Sequence, residues 1–433
     1  MTPDEDRRPP VPHHGRPPAT PTTLARRLGT GDAVVLGLAS MLGAGVFGAF
    51  GPATAAAGGG LLVALAVAGL VATANATSSA QLAAQYPTSG GTYVYGRERL
   101  GPTAGFVAGW SFVVGKTASC AAMALTVAAY LVPAPAQRPV AALLVAALTG
   151  LTCAGITRTA RASRLLVTLV LLALVAVVVT ALAGPAAHGP VLDVTGSGAL
   201  GVLQGAGLLF FAFAGFARLA TMGEEVRDPE RTIPRAVVTA LALVLAVYAV
   251  VALALLHALG VDGLAGAPAP LLTVAAEGSA GLPVLVRIGA AAGALGALLA
   301  LMTGIGRTTL AMARGADLPR TLAAVHPRSQ VPVRAQLVLG GLVVVLVLVT
   351  DLRGALGASS AGVLLYYAVA NAAALTQDRA HRRFPRPLAA VGLVGCLVLV
   401  ATLPAYALLV ALAVVLAGLG GRALVGRARS RTP

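Results

Sequence analysis

Stretches of about 20 apolar residues, separated by short polar or basic patches, recur from Ala33 to Gly421. At 1.5 Å rise per residue, one such stretch crosses a bilayer core of ~30 Å as a helix. Twelve can be counted, beginning near Ala33, Gly59, Thr103, Pro139, Arg164, Ala199, Arg235, Pro283, Arg334, Ala358, Ala389 and Pro404. The last two are short and share one run, Leu388–Gly421, which Pro404 splits because proline breaks the helical ladder. Basic residues at both ends of that run suit a tight hairpin. The pattern predicts an all-α polytopic membrane protein. Residues 1–28 differ in kind, with seven prolines and five charged positions before Pro9. They predict a disordered tail and not a cleaved signal peptide. Residues 422–433 predict a second, basic tail.

Composition agrees: 57% of the 433 residues are hydrophobic and only 11% are charged. No soluble domain of that size could keep so much apolar surface from water. The charge that remains is placed unevenly. Of the 31 basic residues, 26 fall in the two tails or in alternate loops, and the intervening loops hold only Arg138, Arg287 and Arg353. Basic loops stay cytoplasmic, so the pattern predicts both termini inside a plasma membrane and an even number of spans. Topology thus accounts for the net charge of +16. Nothing supports nucleic-acid binding, since the arginines form no single face interleaved with aromatics.

Catalytic and metal signatures are missing. Cys120, Cys153 and Cys396 sit in apolar runs at unrelated spacings, and the six histidines lie in the tail or at loop and span ends. They give neither a disulfide framework nor a zinc pattern. No G-x-S-x-G, H-E-x-x-H or Walker sequence occurs, so no enzyme and no cofactor is expected. What the apolar runs do contain is two glycine interruptions in corresponding places of two halves. One is Gly43-Ala44-Gly45 within SMLGAGVFGAFGP, and the other is Gly215 within GAGLLFFAFAGFARLATMGEEVRDPERTIPRA. Unwound backbone survives in lipid only where it is buried in protein or lines a watery cavity. Paired interruptions of this kind point to a transporter's substrate site. The plainer alternative is that small residues let helices pack closely.

Four segments carry a family resemblance: GLASMLGAGVFGAFGP, YPTSGGTYVYGRERLGPTAGFVAGW, FFAFAGFARLATMGEEVRDPERTIPRAV and GRTTLAMARGADLPRTLAAVHPRSQVPVRA. In this order and at these places the chain resembles an amino acid permease of the amino acid–polyamine–organocation superfamily, from about Gly31 to Val415. The resemblance implies twelve transmembrane helices: two inverted five-helix repeats, about 31–184 and 197–377, and a terminal hairpin, about 388–421, within a transporter domain of 29–421. Helices one and six would be broken near the membrane centre, their freed backbone reading a substrate's head group. The implied substrate-binding residues are Gly43, Ala44 and Gly45 with Phe211, Ala212, Phe213, Ala214 and Gly215. Phe211 falls where relatives often carry an aromatic gate. Two features depart from the family. Val170 stands where proton-coupled relatives often have a lysine, and Ala217 and Arg218 follow the Gly215-Phe216 pair where an acidic residue is common.

Charged groups inside the spans narrow the function. Lys116 is the chain's one lysine, thirteen residues past Thr103 and so ~20 Å into its helix. A buried ammonium is costly and by default functional. It would serve either as a proton-coupling residue or as a tie to the backbone carbonyls of a broken helix. Arg218 lies seven residues before Glu225, on roughly the same helical face. An ion pair at the cytoplasmic mouth suits it, with Glu224, Glu225, Asp228 and Arg231 as a charge network there or as a solvated loop. All 15 carboxylates lie in tails, loops or span ends. A cationic substrate wants a buried anion or an aromatic clamp, so a neutral amino acid is favoured. Sodium finds one central hydroxyl in the eighth span, Thr303, where several oxygen ligands are needed. The expectation is a secondary active transporter of amino acids working by proton symport. A cationic amino acid or polyamine exchanger is the alternative, and a transport-dead sensor a third reading.

The arginine asymmetry is directly testable. In a background lacking the three native cysteines, single cysteines at Thr2 and at Ser329 are expected to resist impermeant thiol reagents in intact cells. Ready labelling of either position would overturn the orientation.

Overall fold

A chain in lipid must satisfy its own backbone N–H and C=O groups, so each apolar run closes into a helix. The computed structural model describes residues 28–86, 90–155, 160–187, 198–220 and 226–430. Its first half holds α1 (Thr30–Met41), α2 (Ala44–Gly48), α3 (Phe50–Ala57), α4 (Leu61–Gln85), α5 (Thr92–Leu100), α6 (Pro102–Leu131), α7 (Ala134–Cys153) and α8 (Ala160–Ala183). The second holds α9 (Gly198–Phe213), α10 (Ala217–Ala220), α11 (Pro229–Gly266), α12 (Pro270–Ala276), α13 (Leu282–Arg314), α14 (Val333–Val349) and α15 (Leu352–Leu375). The chain continues into α16 (Arg386–Thr402) and α17 (Ala405–Ser430). Among the described residues ten helical segments are long and apolar enough to cross a membrane. Two shorter apolar helices of 17 residues, α14 and α16, occupy the places of the ninth and eleventh expected spans. Apart from one isolated bridge, Leu28 with Val226, no strand pairing occurs among these residues.

Some boundaries differ from the hydropathy pattern, for reasons that lie in capping. α11 and α15 each begin six residues before the expected Arg235 and Ala358. Pro229 opens α11 at a first-turn position where its missing N–H costs nothing. Asp351 caps α15 by accepting from the Gly354 amide at 2.7 Å. Apolar runs cannot report such polar starts. At the other end of α11, Gly260 takes φ 66°, a left-handed turn that suits glycine, and the chain leaves its helical path there. Pro404 separates α16 from α17 as the sequence predicts. α17, however, runs on to Ser430 through most of the expected tail.

The most deeply buried of the spans is α6, packed between α15 and α13. Its closeness to α15 depends on glycine. A Cβ on Gly362 would lie 2.6 Å from the Gly115 Cα and 2.8 Å from the Ser111 carbonyl oxygen. Small residues at such a crossing let backbones approach, which in lipid is where packing energy is found. One turn further on, the Ser119 and Ser359 hydroxyls meet at 2.6 Å across the same seam. This crossing fixes the rotation of α6, and therefore the direction in which Lys116, next to Gly115, presents its ammonium.

Gly362→Leu is expected to force α6 and α15 apart, because the obstructing atoms are backbone and cannot rotate away. Overpacking of this kind costs ~1–3 kcal/mol, read as a lowered thermal midpoint of the purified protein. Gly341→Leu, at an exposed site of α14 with nothing nearby, is expected to leave the midpoint unchanged. Equal midpoints for both variants would overturn the packing argument.

Candidate functional site

Both glycine interruptions are real breaks. α1 ends at Met41, Gly43 adopts a non-helical conformation, and the chain resumes as α2. The second is tighter than a gap: Ala214–Phe216 forms a single 3-10 turn between α9 and α10, a feature that inside longer helices often marks a hinge. The breaks lie against each other. A Cβ on Gly45 would sit 2.6 Å from the Ala212 Cα, and one on Gly215 would collide with the Ser40 carbonyl. Only glycine permits this approach.

Interrupting a helix frees carbonyls that burial makes expensive to leave unpaired. Tyr248 of α11 meets two of them. Its hydroxyl lies 2.5 Å from the Met41 oxygen and 3.0 Å from the Ala212 oxygen, so one proton serves both breaks. Lys116 meets a third. It is only 4% exposed, and its Nζ donates to the Ala214 carbonyl at 3.0 Å. The first amides of α2 receive no side-chain cap, which leaves donors at the same level.

Between the breaks, α6 and α13 lies a cavity of about 230 Å³. Of the residues singled out in sequence, Ala44, Gly45, Lys116, Phe211, Ala212, Ala214, Gly215 and Arg218 line it. Gly43 and Phe213 do not. Gly43 is turned to α13, where a Cβ would meet Ala297 at 2.8 Å. Phe213 is fully buried and packs edge-on against Tyr248, ring centroids 5.1 Å apart. Glu224 and Glu225 lie outside the described residues. Asp228 and Arg231 pair at 3.9 Å, and both side chains are exposed, a contact worth little in water. Thr303 directs its hydroxyl to the Leu299 carbonyl of its own helix. Val170 is buried against Gly293, beside the first break.

The two ends of the cavity differ. On the α2 and α3 side, behind the lining, lies an aromatic cluster: Phe47 and Tyr130 meet edge-to-face at 5.4 Å, and Phe50 and Tyr248 at 6.1 Å; none of the four rings lines the cavity itself. The Tyr130 hydroxyl adds a bond of 2.9 Å to the Phe47 carbonyl, and all four side chains are buried. Toward the other end the wall is Gly90, Arg307, Thr308, Ala311 and Arg314. Beside this mouth Asp317, 5% exposed, accepts from the Tyr93 hydroxyl at 2.9 Å and from Arg97 at 3.1 Å, and pairs with Arg422 at 3.2 Å. Burial, reinforced by that carboxylate, pushes the Tyr93 phenol above its ordinary range. Arg422 also lies 5.0 Å over the Phe106 ring and donates to the Pro102 carbonyl, which holds α17 on the foot of α6.

Sequence reasoning passed over Tyr248, Asp317, Arg307 and Arg314. A signal for Tyr248 existed: a tyrosine in the middle of ALVLAVYAVVAL must find a partner for its hydroxyl. The two arginines were absorbed into the orientation pattern, and periodicity alone could not say which of them face inward.

A family model described as amino acid permease matches residues 32–426. An uncharacterized transporter of Mycobacterium tuberculosis is 56% identical, over 89% of this chain and 88% of its own length. Cationic amino acid transporter 7, chloroplastic, of Arabidopsis thaliana is 30% identical over 81% of this chain and 65% of its own. The branched-chain amino acid permease of Bacillus subtilis is 26% identical over 72% of each.

Tyr248→Phe keeps the ring contacts and removes the shared proton. Each buried acceptor left unpaired costs ~1–3 kcal/mol, so the variant is expected to unfold at lower temperature. It is also expected to show a smaller substrate-induced thermal shift than wild type. A wild-type midpoint would remove the hydroxyl from the support of the breaks.

Proposed function

The chain belongs to the amino acid permease family, and from that premise we propose that it is a secondary active transporter moving amino acids across the plasma membrane by alternating access. The observation that carries this reading is the pair of broken helices in close backbone contact, both lining one cavity. Relatives of this chain bear the names of transporters and permeases, not of enzymes. We read α1–α8 and α9–α15 as two inverted repeats, supported by the break in the first span of each half, and α16–α17 as the terminal hairpin.

Orientation follows from the basic loops. With both termini inside, the mouth at Arg307 and Arg314 faces the cytoplasm, and the arrangement is inward-open. The aromatic cluster of Phe47, Phe50, Tyr130 and Tyr248 is then the closed outer gate. A substrate's carboxylate would rest on the free amides of the first break. Among the described residues the lining holds no carboxylate, which weighs against a cationic amino acid exchanger, although some relatives are named cationic amino acid transporters. It leaves amino acids without positive side-chain charge, neutral ones among them.

Lys116 is the proposed coupling residue. It holds the Ala214 carbonyl at the hinge turn, so loss or gain of its proton changes the restraint on α9 and α10. Lys116→Met keeps the stem and removes the titrating head. Uptake driven by an imposed pH gradient in proteoliposomes is expected to vanish in that variant, while exchange of labelled substrate survives at a pH-independent rate. Gradient-driven uptake at the wild-type level would take Lys116 out of the coupling. No uptake or exchange of any amino acid by the wild-type protein would overturn the transport reading itself.

A further inference from the structure

We infer that the cavity selects amino acids with an acidic side chain, its chemistry being that of a site for two carboxylates; this rests on the transport reading above. Three independent features of the wall lead there.

The first is charge. Lys116, Arg307 and Arg314 all line the cavity. The helices that form its wall, α6, α9, α10 and α13, contain no aspartate or glutamate at all. α1 has one, Asp32, and Arg164 already holds it. Arginine near the inner end of a span is what orientation requires. Orientation does not require that two such arginines face the cavity, nor that a lysine stand at the depth of the breaks.

The second is the placement of those cations. Ala297, Ala300, Leu301, Gly304, Arg307, Ala311 and Arg314 line the cavity at spacings of one to four residues, so one stripe of α13 forms its wall. The stripe is apolar at the level of the first break, where Ala297 abuts Gly43. It becomes cationic ten residues on, ~15 Å along the axis, a gap that a long guanidinium side chain narrows. An α-carboxylate at the breaks and a side-chain carboxylate directed to Arg307 would satisfy both levels.

The third is the supply of acceptors. A substrate with a positive side chain would need free oxygens. The Met41 and Ala212 carbonyls are shared by Tyr248, and the Ala214 carbonyl is taken by Lys116. Three carbonyls of the breaks are thus already engaged by donors of the protein, leaving fewer for a second ammonium beyond the α-amino group, and cations line the route to them. In a narrow cleft with low-dielectric walls, fixed charge of one sign concentrates its opposite and repels its like.

Glutamate and glutamine form the cleanest comparison, because they match in shape and differ in charge. Purified protein is to be assayed for displacement of bound labelled glutamate by unlabelled glutamate, glutamine and lysine. Glutamate is expected to compete roughly tenfold better than glutamine, with lysine ineffective, and the preference to shrink as salt is raised. Arg307→Gln is expected to bring the two within about twofold, while Arg307→Lys, which keeps the charge, retains the preference. If labelled glutamate does not bind but leucine or glutamine is taken up by proteoliposomes, the inference fails and the transport reading stands. A glutamine affinity equal to that of glutamate in the wild-type protein overturns the inference in the same way. Absence of uptake across a full amino acid panel overturns both.

Discussion

A carbonyl freed inside a membrane has no water to turn to, and this constraint governs the centre of the molecule. Breaking two helices at the same depth releases acceptors from both at once. The protein answers with two donors from outside the breaks. Tyr248 of α11 shares its proton between Met41 and Ala212, one carbonyl from each broken span, and Lys116 of α6 takes Ala214. Glycine at 45 and 215 makes the answer geometrically available, because any side chain there would hold the breaks apart and out of reach of a shared hydroxyl. The site is therefore polar backbone secured by two side chains, set in a wall of alanine, glycine and phenylalanine.

Those two donors must be aimed, and the aiming is done elsewhere. α6 cannot rotate without disturbing its glycine seam with α15 and the Ser119–Ser359 bond one turn away. Nearer its start, the Trp110 indole donates to the Val414 carbonyl of α17 at 2.7 Å. Arg422 then joins the same helix to Asp317 and Pro102. So α17 acts as a strap along α6, continuous from the lower part of the cavity to the Asp317 cluster at its mouth.

Much of this was legible beforehand. Length and hydropathy give the spans because a helix must cover a fixed thickness. Gly43-Ala44-Gly45 and Gly215 mark the breaks, while Gly48, Gly51, Gly205 and Gly207 of the same runs stay inside helices. Lys116 is legible as a buried cation, and the structure shows it bonded to a carbonyl of a broken helix. The expectations failed where the signal is polar and local. Asp351 and Pro229 start helices six residues earlier than hydropathy suggests. Gly43 and Phe213 belong to the breaks in sequence but turn away from the cavity, one toward Ala297 and the other toward Tyr248. Direction around a helix axis depends on neighbours, and periodicity in an almost uniformly apolar chain leaves it undetermined. For the same reason Arg307 and Arg314 read as orientation signals although they face the cavity.

The bond between Lys116 and Ala214 gives the two readings of that lysine a common footing. It joins α6, held by α15 and α17, to a 3-10 turn at the junction of α9 and α10. If the turn is the hinge of the proposed cycle, one of its two arrangements keeps this bond and the other breaks it. An ammonium that loses its carbonyl partner at that depth is left exposed to a low-dielectric wall, with no carboxylate on any of the helices α6, α9, α10 or α13 to receive it. Proton binding and hinge position are then linked by necessity: the arrangement that favours the ammonium is the one the proton favours in return. A structural tie and a coupling switch are accordingly not rival roles for the same residue. In the proposed cycle, the tie would be what makes the protonation state of Lys116 count for the position of the hinge.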